Sequence, residues 1–144
     1  MWILLDRVNA YNSKQLKRHL PSVYNDLSIY ADVLPGNEVS PAHPFGGFIL
    51  NLNVVTRAHR DVKDLCMCLV LVIGNHVGGE LCLVEPGWVL RLRNGDMVLF
   101  PSGRLTHFNL HYQGIRGSLV LHSDHAGKAW ANDRNGWMGH KYFS

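Results

Sequence analysis

The amino-acid sequence predicts a mainly β chain with flanking helices, and two patterns carry that prediction. From Phe45 onward, short runs rich in Val, Leu, Ile and Phe are separated by glycine-bearing turns at fairly even intervals, the pattern of an all-β arrangement. Before Phe45 the apolar residues recur at helical spacing instead. Ser13 stands as a cap candidate ahead of Leu16 and Leu20, and Val23, Leu27, Tyr30 and Leu34 fall on one helical stripe. Pro35-Gly36 stops the second helix, and the stripes read most simply as the faces by which two helices pack on a sheet.

The turns are Gly74 to Gly79, Pro86-Gly87, Asn94-Gly95, Pro101 to Gly103 and Gln113-Gly114. Asn-Gly is the strongest of them, because both residues tolerate the positive φ of a tight turn. The strands between are expected at 47–55, 57–60, 67–73, 80–84, 88–93, 97–100, 105–111 and 116–122. Eight short strands with such turns suit a double-stranded β-helix of the jelly-roll or cupin kind. With 144 residues and 47% hydrophobic content there is apolar material for one core but hardly two. A single domain over 1–144 is therefore expected: helices over 1–44, the β core over 45–124, and an irregular tail over 125–144 packed back on the barrel.

Composition narrows the function classes. The longest apolar run, Leu65 to Ile73, is far short of the roughly 20 residues of a membrane-spanning helix, so no membrane association is expected. Met1 to Leu5 is cut off by Asp6 and Arg7 and is too short for a secretory signal. Cys66, Cys68 and Cys82 form an odd set, and Cys66 and Cys68 would point the same way on one strand; they read as buried apolar filler in a reducing compartment. An intracellular protein, nuclear or cytoplasmic, is expected. A net charge of +3 permits contact with a polyanion without requiring it.

The chemistry-bearing residues start at His59-Arg60-Asp61, where an imidazole and a carboxylate two residues apart are presented on one side of an extended segment. His107, on a later strand, supplies a third ligand. Two histidines and one carboxylate on one face of an octahedral ion leave positions open for substrate and oxygen, as in non-haem Fe(II) oxygenases. Arg116 follows across the Gln113-Gly114 turn, so that it and His107 are expected to face one cavity from neighbouring antiparallel strands. Its guanidinium can pair with a dicarboxylate whose other end chelates the iron, and Ser118, two residues on, points the same way. Counting back by two from His59 places Arg57, Val55, Asn53 and Asn51 on the same face, where Asn53 and Arg57 would meet a bound keto acid. Val120 and His122 are expected inward, Leu119 and Leu121 outward, and His111 and His122 are read as structural. His19, His43, His76, His125 and His140 receive no role. From these residues alone, a degenerate relative that binds metal or nucleic acid without turnover, a cupin-like metalloprotein without a keto acid, and a purely structural barrel stay open beside an enzyme; Arg116 weighs against the second, because a buried guanidinium needs an anionic partner.

The ordered set Arg57-Ala58-His59-Arg60-Asp61, Gly78-Gly79-Glu80-Leu81, Arg91 to Phe100, Thr106-His107 and Arg116-Gly117-Ser118-Leu119-Val120 resembles the Fe(II)/2-oxoglutarate dioxygenase superfamily. It is most similar to the TET/JBP-like branch, in particular its fungal, transposon-associated members. The resemblance implies oxidation of a C–H bond by O2, coupled to decarboxylation of 2-oxoglutarate to succinate; in that branch the bond is the methyl of 5-methylcytosine or thymine. It gives His59, Asp61 and His107 the iron, Arg116 the distal carboxylate and Ser118 a supporting part, while the Gly-Gly-Glu-Leu segment looks structural. A nucleic-acid partner, DNA before RNA, is implied, with oxidation of a protein or small molecule as the alternative. A base would be met by the N-terminal helices, the Pro41 to Gly47 loop and the tail. Oligomeric state is left unspecified.

Overall fold

A computed structural model describes residues 2–34 and 40–126. Pro35-Gly36 and the tail beyond Ala126 lie outside the described residues. By backbone contacts the chain divides into two compact units, one running to Gly47 and resuming at Ser123, the other Phe48–His122.

The first unit carries the helices α1, Trp2–His19, and α2, Pro21–Ala31. Ser13 lies inside α1 and does not cap it, since the helix already begins at Trp2. The break falls at Leu20, with φ −135°, and Pro21 then opens α2 at the position where its missing N–H costs nothing. Leu16, Leu27 and Ala31 are buried. At the end of the unit, the Ser123 hydroxyl oxygen accepts the Gly46 N–H at 3.0 Å.

The second unit is mainly β. Its strands are β1 Gly47–Leu52, β2 Cys68–Ile73, β3 His76–Gly78, β4 Leu81–Leu83, β5 Trp88–Leu90, β6 Met97–Phe100, β7 His107–Asn109, β8 Tyr112–Gly114 and β9 Gly117–His122. They form a four-stranded sheet in the order β1-β9-β2-β6, a three-stranded sheet β5-β4-β7 and the pair β3-β8. In the larger sheet Val70 stands opposite both Val98 and Val120. In the smaller one Leu83 stands opposite Trp88 and His107. Cys68 and Phe100 from the first sheet pack with Leu81 and Leu83 from the second, and Val70, Val98, Val120, Leu90, Leu92 and Leu105 close around them. The core thus lies between two sheet faces, each contributing alternate residues.

Three expectations are corrected. The segment 57–60 is not a strand: it joins β7 only through a single bridge, His59 with His107. The segments read as turns at Gly74–Gly79 and Gln113-Gly114 instead hold β3 and β8, which pair with each other. Gly114, at φ 101°, allows this, because a Cβ there would lie 2.3 Å from the Asn75 carbonyl oxygen. The Asn94-Gly95 turn is present, with Gly95 at φ 88°, but it passes the chain from β5 in one sheet to β6 in the other and closes no two-stranded hairpin. Short apolar runs announce strands but do not say which sheet each joins.

Candidate metal centre and anion pocket

His59, Asp61 and His107 converge. One ligand atom from each lies within 4.8 Å of the others. Nε2 of His59 is 3.4 Å from one Asp61 carboxylate oxygen, and Nε2 of His107 is 3.2 Å from the other. Donors about 2.1 Å from one ion on a shared octahedral face stand roughly 3 Å apart, so the three fit a single small cation.

The backbone sets this arrangement. His59 and His107 exchange both main-chain hydrogen bonds, at 3.1 and 2.9 Å, which brings the rings to 4.4 Å between centroids. The Asp61 N–H donates to the Ser102 carbonyl. Each imidazole is also fixed in its tautomer. Nδ1 of His59 faces the Arg57 carbonyl at 2.6 Å and Nδ1 of His107 faces the Leu105 carbonyl at 2.8 Å. A carbonyl only accepts, so both Nδ1 atoms carry the proton and both Nε2 lone pairs are left for a metal. Phe100 packs edge-on against the His107 ring at 5.0 Å.

The three groups open into a cavity of about 280 Å³ within the β unit. Arg116 and Ser118 line it, with Asn51, Val120 and His122. Arg116 is 6% exposed, and its Nε has no hydrogen-bond partner among the described residues. Burial pushes its guanidinium below the ordinary range, with Tyr112 opposing the shift. A buried cation without a counter-charge is costly, and a carboxylate entering the cavity supplies what it lacks. Gly79 makes room for it: at φ 73°, a Cβ there would stand 2.9 Å from Arg116 Nε.

His107 and Arg116 do not sit on neighbouring strands. His107 opens β7 in the three-stranded sheet, and Arg116 precedes β9 in the four-stranded one, so they meet across the cavity from opposite faces. Asn53 and Arg57 do not line it. β1 ends at Leu52, the next residue, Asn53, has φ +53°, and the parity count from His59 fails there. Asn53 instead pins the Arg116 backbone: its side-chain oxygen accepts the Arg116 N–H at 3.1 Å, and its own N–H donates to the Arg116 carbonyl at 2.8 Å. Arg57 is exposed and touches the site only through the carbonyl that holds His59.

A polar group that the sequence reading passed over lies in the same cavity. Asp64 accepts the Ser102 hydroxyl at 2.7 Å and stands 3.6 Å from Nδ1 of His122. Its spacing of one turn beyond Asp61 was the available signal. Gly103 leaves space for that turn, because a Cβ there would press on the Asp61 and Asp64 carbonyls at 3.2 and 3.1 Å. Cys68 also faces the cavity, but burial pushes its thiol up to about 12, against the opposing hydrogen bond from Ser102, so it stays protonated at neutral pH. Cys82 is buried like Cys68. Cys66 is exposed and precedes β2, so the reading of all three as buried filler on a common strand is corrected.

No protein-family model matches the chain, and no curated protein does. Among solved structures, NgTET1 in complex with 5mC DNA superposes with a TM-score of 0.75 at 19% identity, over 85% of this chain and 49% of that one. The chain shares the fold of NgTET1. It spans about half of that protein's length. Protein NMB1881 from Neisseria meningitidis, 14% identical over 53% of this chain and 70% of that one, reaches a TM-score of 0.39.

Proposed function

We propose that this chain is an Fe(II)- and 2-oxoglutarate-dependent dioxygenase of the TET/JBP-like kind, built on a double-stranded β-helix, that oxidises a C–H group. The first substrate is the methyl of a nucleic-acid base such as 5-methylcytosine in DNA. The observation that carries the reading is the buried Arg116 guanidinium, its Nε without a partner among the described residues, lining the same cavity as a two-histidine, one-carboxylate cluster. When bound, iron with 2-oxoglutarate and O2 supplies the oxidising chemistry, coupling loss of CO2 from the keto acid to oxidation of the substrate.

The chain's own residues do the rest. His59, Asp61 and His107 hold the metal by one face and leave the other open. Arg116 would pair with the distal carboxylate of the keto acid, with the Ser118 hydroxyl lining the same cavity. Val70, Leu81, Leu92, Phe100 and Val120 give the cavity apolar wall between its polar groups, which strengthens the charge-assisted contacts beside them. A base in duplex DNA would have to leave the stack to reach the cavity. The fold shared with NgTET1, which was solved with 5mC DNA, supports DNA before RNA. An intracellular location, in the nucleus if the substrate is DNA, belongs to the same proposal. No helix among the described residues is long and apolar enough to cross a membrane.

The test is succinate release with Fe(II) and 2-oxoglutarate across methylated DNA, RNA, peptides and free nucleosides. Turnover that rises with methylated DNA supports the reading. Turnover that rises only with peptides or small molecules moves the substrate to the alternative class, and metal binding without succinate under any condition leaves a non-catalytic relative.

A further inference from the structure

On the side of the metal-ligand segments turned away from the cavity lies a compact polar cluster that the proposed reaction does not use. Arg60 sits between the ligands His59 and Asp61, and Thr106 immediately precedes His107. In extended backbone their side chains point opposite to the ligands. Both reach Glu85, which follows β4. The Arg60 Nη2 donates to one Glu85 carboxylate oxygen at 2.6 Å, and the Thr106 hydroxyl donates to the same oxygen at 2.7 Å. The Thr106 backbone N–H donates to the other oxygen at 2.8 Å, and Arg60 Nε donates to the Thr106 hydroxyl at 3.0 Å. The Val84 N–H also donates to the Thr106 carbonyl at 2.9 Å. One carboxylate thus ties three chain segments together, two of which carry all three ligands.

We propose that Glu85 is a positioning residue for the metal centre, a clasp that holds the 59–61 segment against β7. The segment needs one. It is not part of a ladder: its backbone bonds among the described residues are the reciprocal pair between His59 and His107, the Asp61 N–H to Ser102 and the local turn from the Asp64 N–H to the Asp61 carbonyl. A metal site tolerates only a few tenths of an ångström in its donors, and one bridge with the single Asp61 contact beyond it leaves rotation of the segment about that bridge loosely restrained. Arg60 and Thr106 sit on either side of that bridge, so a common anchor removes the rotation. Arg60 and Glu85 side chains are 49% and 36% exposed, so the clasp adds little to global stability. Its effect falls on the ligand geometry.

This inference rests on the metal site proposed above, and its test separates the two. Co(II), a spectroscopic stand-in for Fe(II), is titrated into metal-free full-length protein, following its visible absorption, while thermal unfolding of the metal-free form is recorded in parallel. Removal of a group that supports metal ligands from outside typically weakens metal binding about 10- to 100-fold, and Glu85→Ala is expected to show that loss with a nearly unchanged unfolding temperature. Glu85→Gln, which keeps acceptor capacity for Thr106 but not the charge facing Arg60, should recover part of the affinity. If Glu85→Ala does not fold, Arg60→Gln, a change at an exposed side chain, is read by the same titration. Co(II) affinity within twofold of the parent in a folded variant overturns the clasp and leaves the metal site standing. A parent protein that binds no Co(II), or binds it equally well after His107→Ala, overturns both.

Discussion

At the scale of single residues, the site depends on two different electrostatic demands. His107 gives a metal one lone pair while its other nitrogen is committed to the Leu105 carbonyl, so an alanine there deletes one of the three ligands. His107→Ala is expected to abolish succinate release and Co(II) binding together while the far-ultraviolet circular dichroism stays that of the parent. Arg116 has the opposite problem, a buried guanidinium whose Nε has no partner among the described residues. Arg116→Ala should raise the apparent requirement for 2-oxoglutarate by roughly 10- to 100-fold, the size expected for a charge-assisted pair of about 1.5–3 kcal/mol. Metal affinity without the keto acid should stay unchanged. A steady-state titration of 2-oxoglutarate at saturating Fe(II) measures it, and an unchanged requirement would show that a different cation does the anchoring.

At the scale of elements, the small sheet β5-β4-β7 couples packing to the metal centre. Leu83 on β4 is 3% exposed and stands directly opposite His107 on β7. Its side chain belongs to the core between the sheets and its backbone to the strand that delivers the ligand. Leu83→Ala should cost about 2–5 kcal/mol of unfolding free energy, the range for a buried leucine whose cavity closes incompletely. Urea denaturation would show this as a lower midpoint with an unchanged slope. The larger sheet supplies the anion side. Asn53 locks the backbone of Arg116 from the end of β1, so the guanidinium is aimed by an element distant in sequence.

At the scale of the whole molecule, pH and ligands shift the folding equilibrium in directions that follow from the site. The hydrogen bonds from Thr106, and then Arg60, hold the Glu85 carboxyl down to about 2, from an ordinary 4.5. The folded chain thus favours ionised Glu85. That contribution is complete above pH 4.5 and is lost as the pH falls towards 2. Because the pair is part-exposed, its share of global stability is small, so unfolding temperatures of the parent and Glu85→Gln should differ only slightly at neutral pH and converge through that acid window; a gap that persists unchanged through it would count against the pairing. Binding of the metal and keto acid should also stabilise the chain, by about 2.7 kcal/mol at a ligand concentration one hundred times its dissociation constant. In Arg116→Ala the increment from 2-oxoglutarate should vanish while the increment from the metal persists, which thermal shift measurements resolve.

The residue types and their order along the chain were enough to point to His59, Asp61 and His107, to Arg116 and Ser118 beside them, and to a β-rich region after Phe45. Alternation along β9 also placed Val120 and His122 inward, because a strand's side chains have a period of two and β9 is regular. The same counting failed for Asn53 and Arg57, where one residue at positive φ ends β1 and resets the parity. Sheet membership was not readable either: Gly114 looks like a turn in sequence, yet lies in a strand because a carbonyl passes where its side chain would be. The room that Gly79 leaves for Arg116, the placing of Asp64 in the cavity and the Glu85 clasp all join positions far apart in the chain. Local propensity and spacing carry no information about such contacts, and only packing of one sheet against the other decides them.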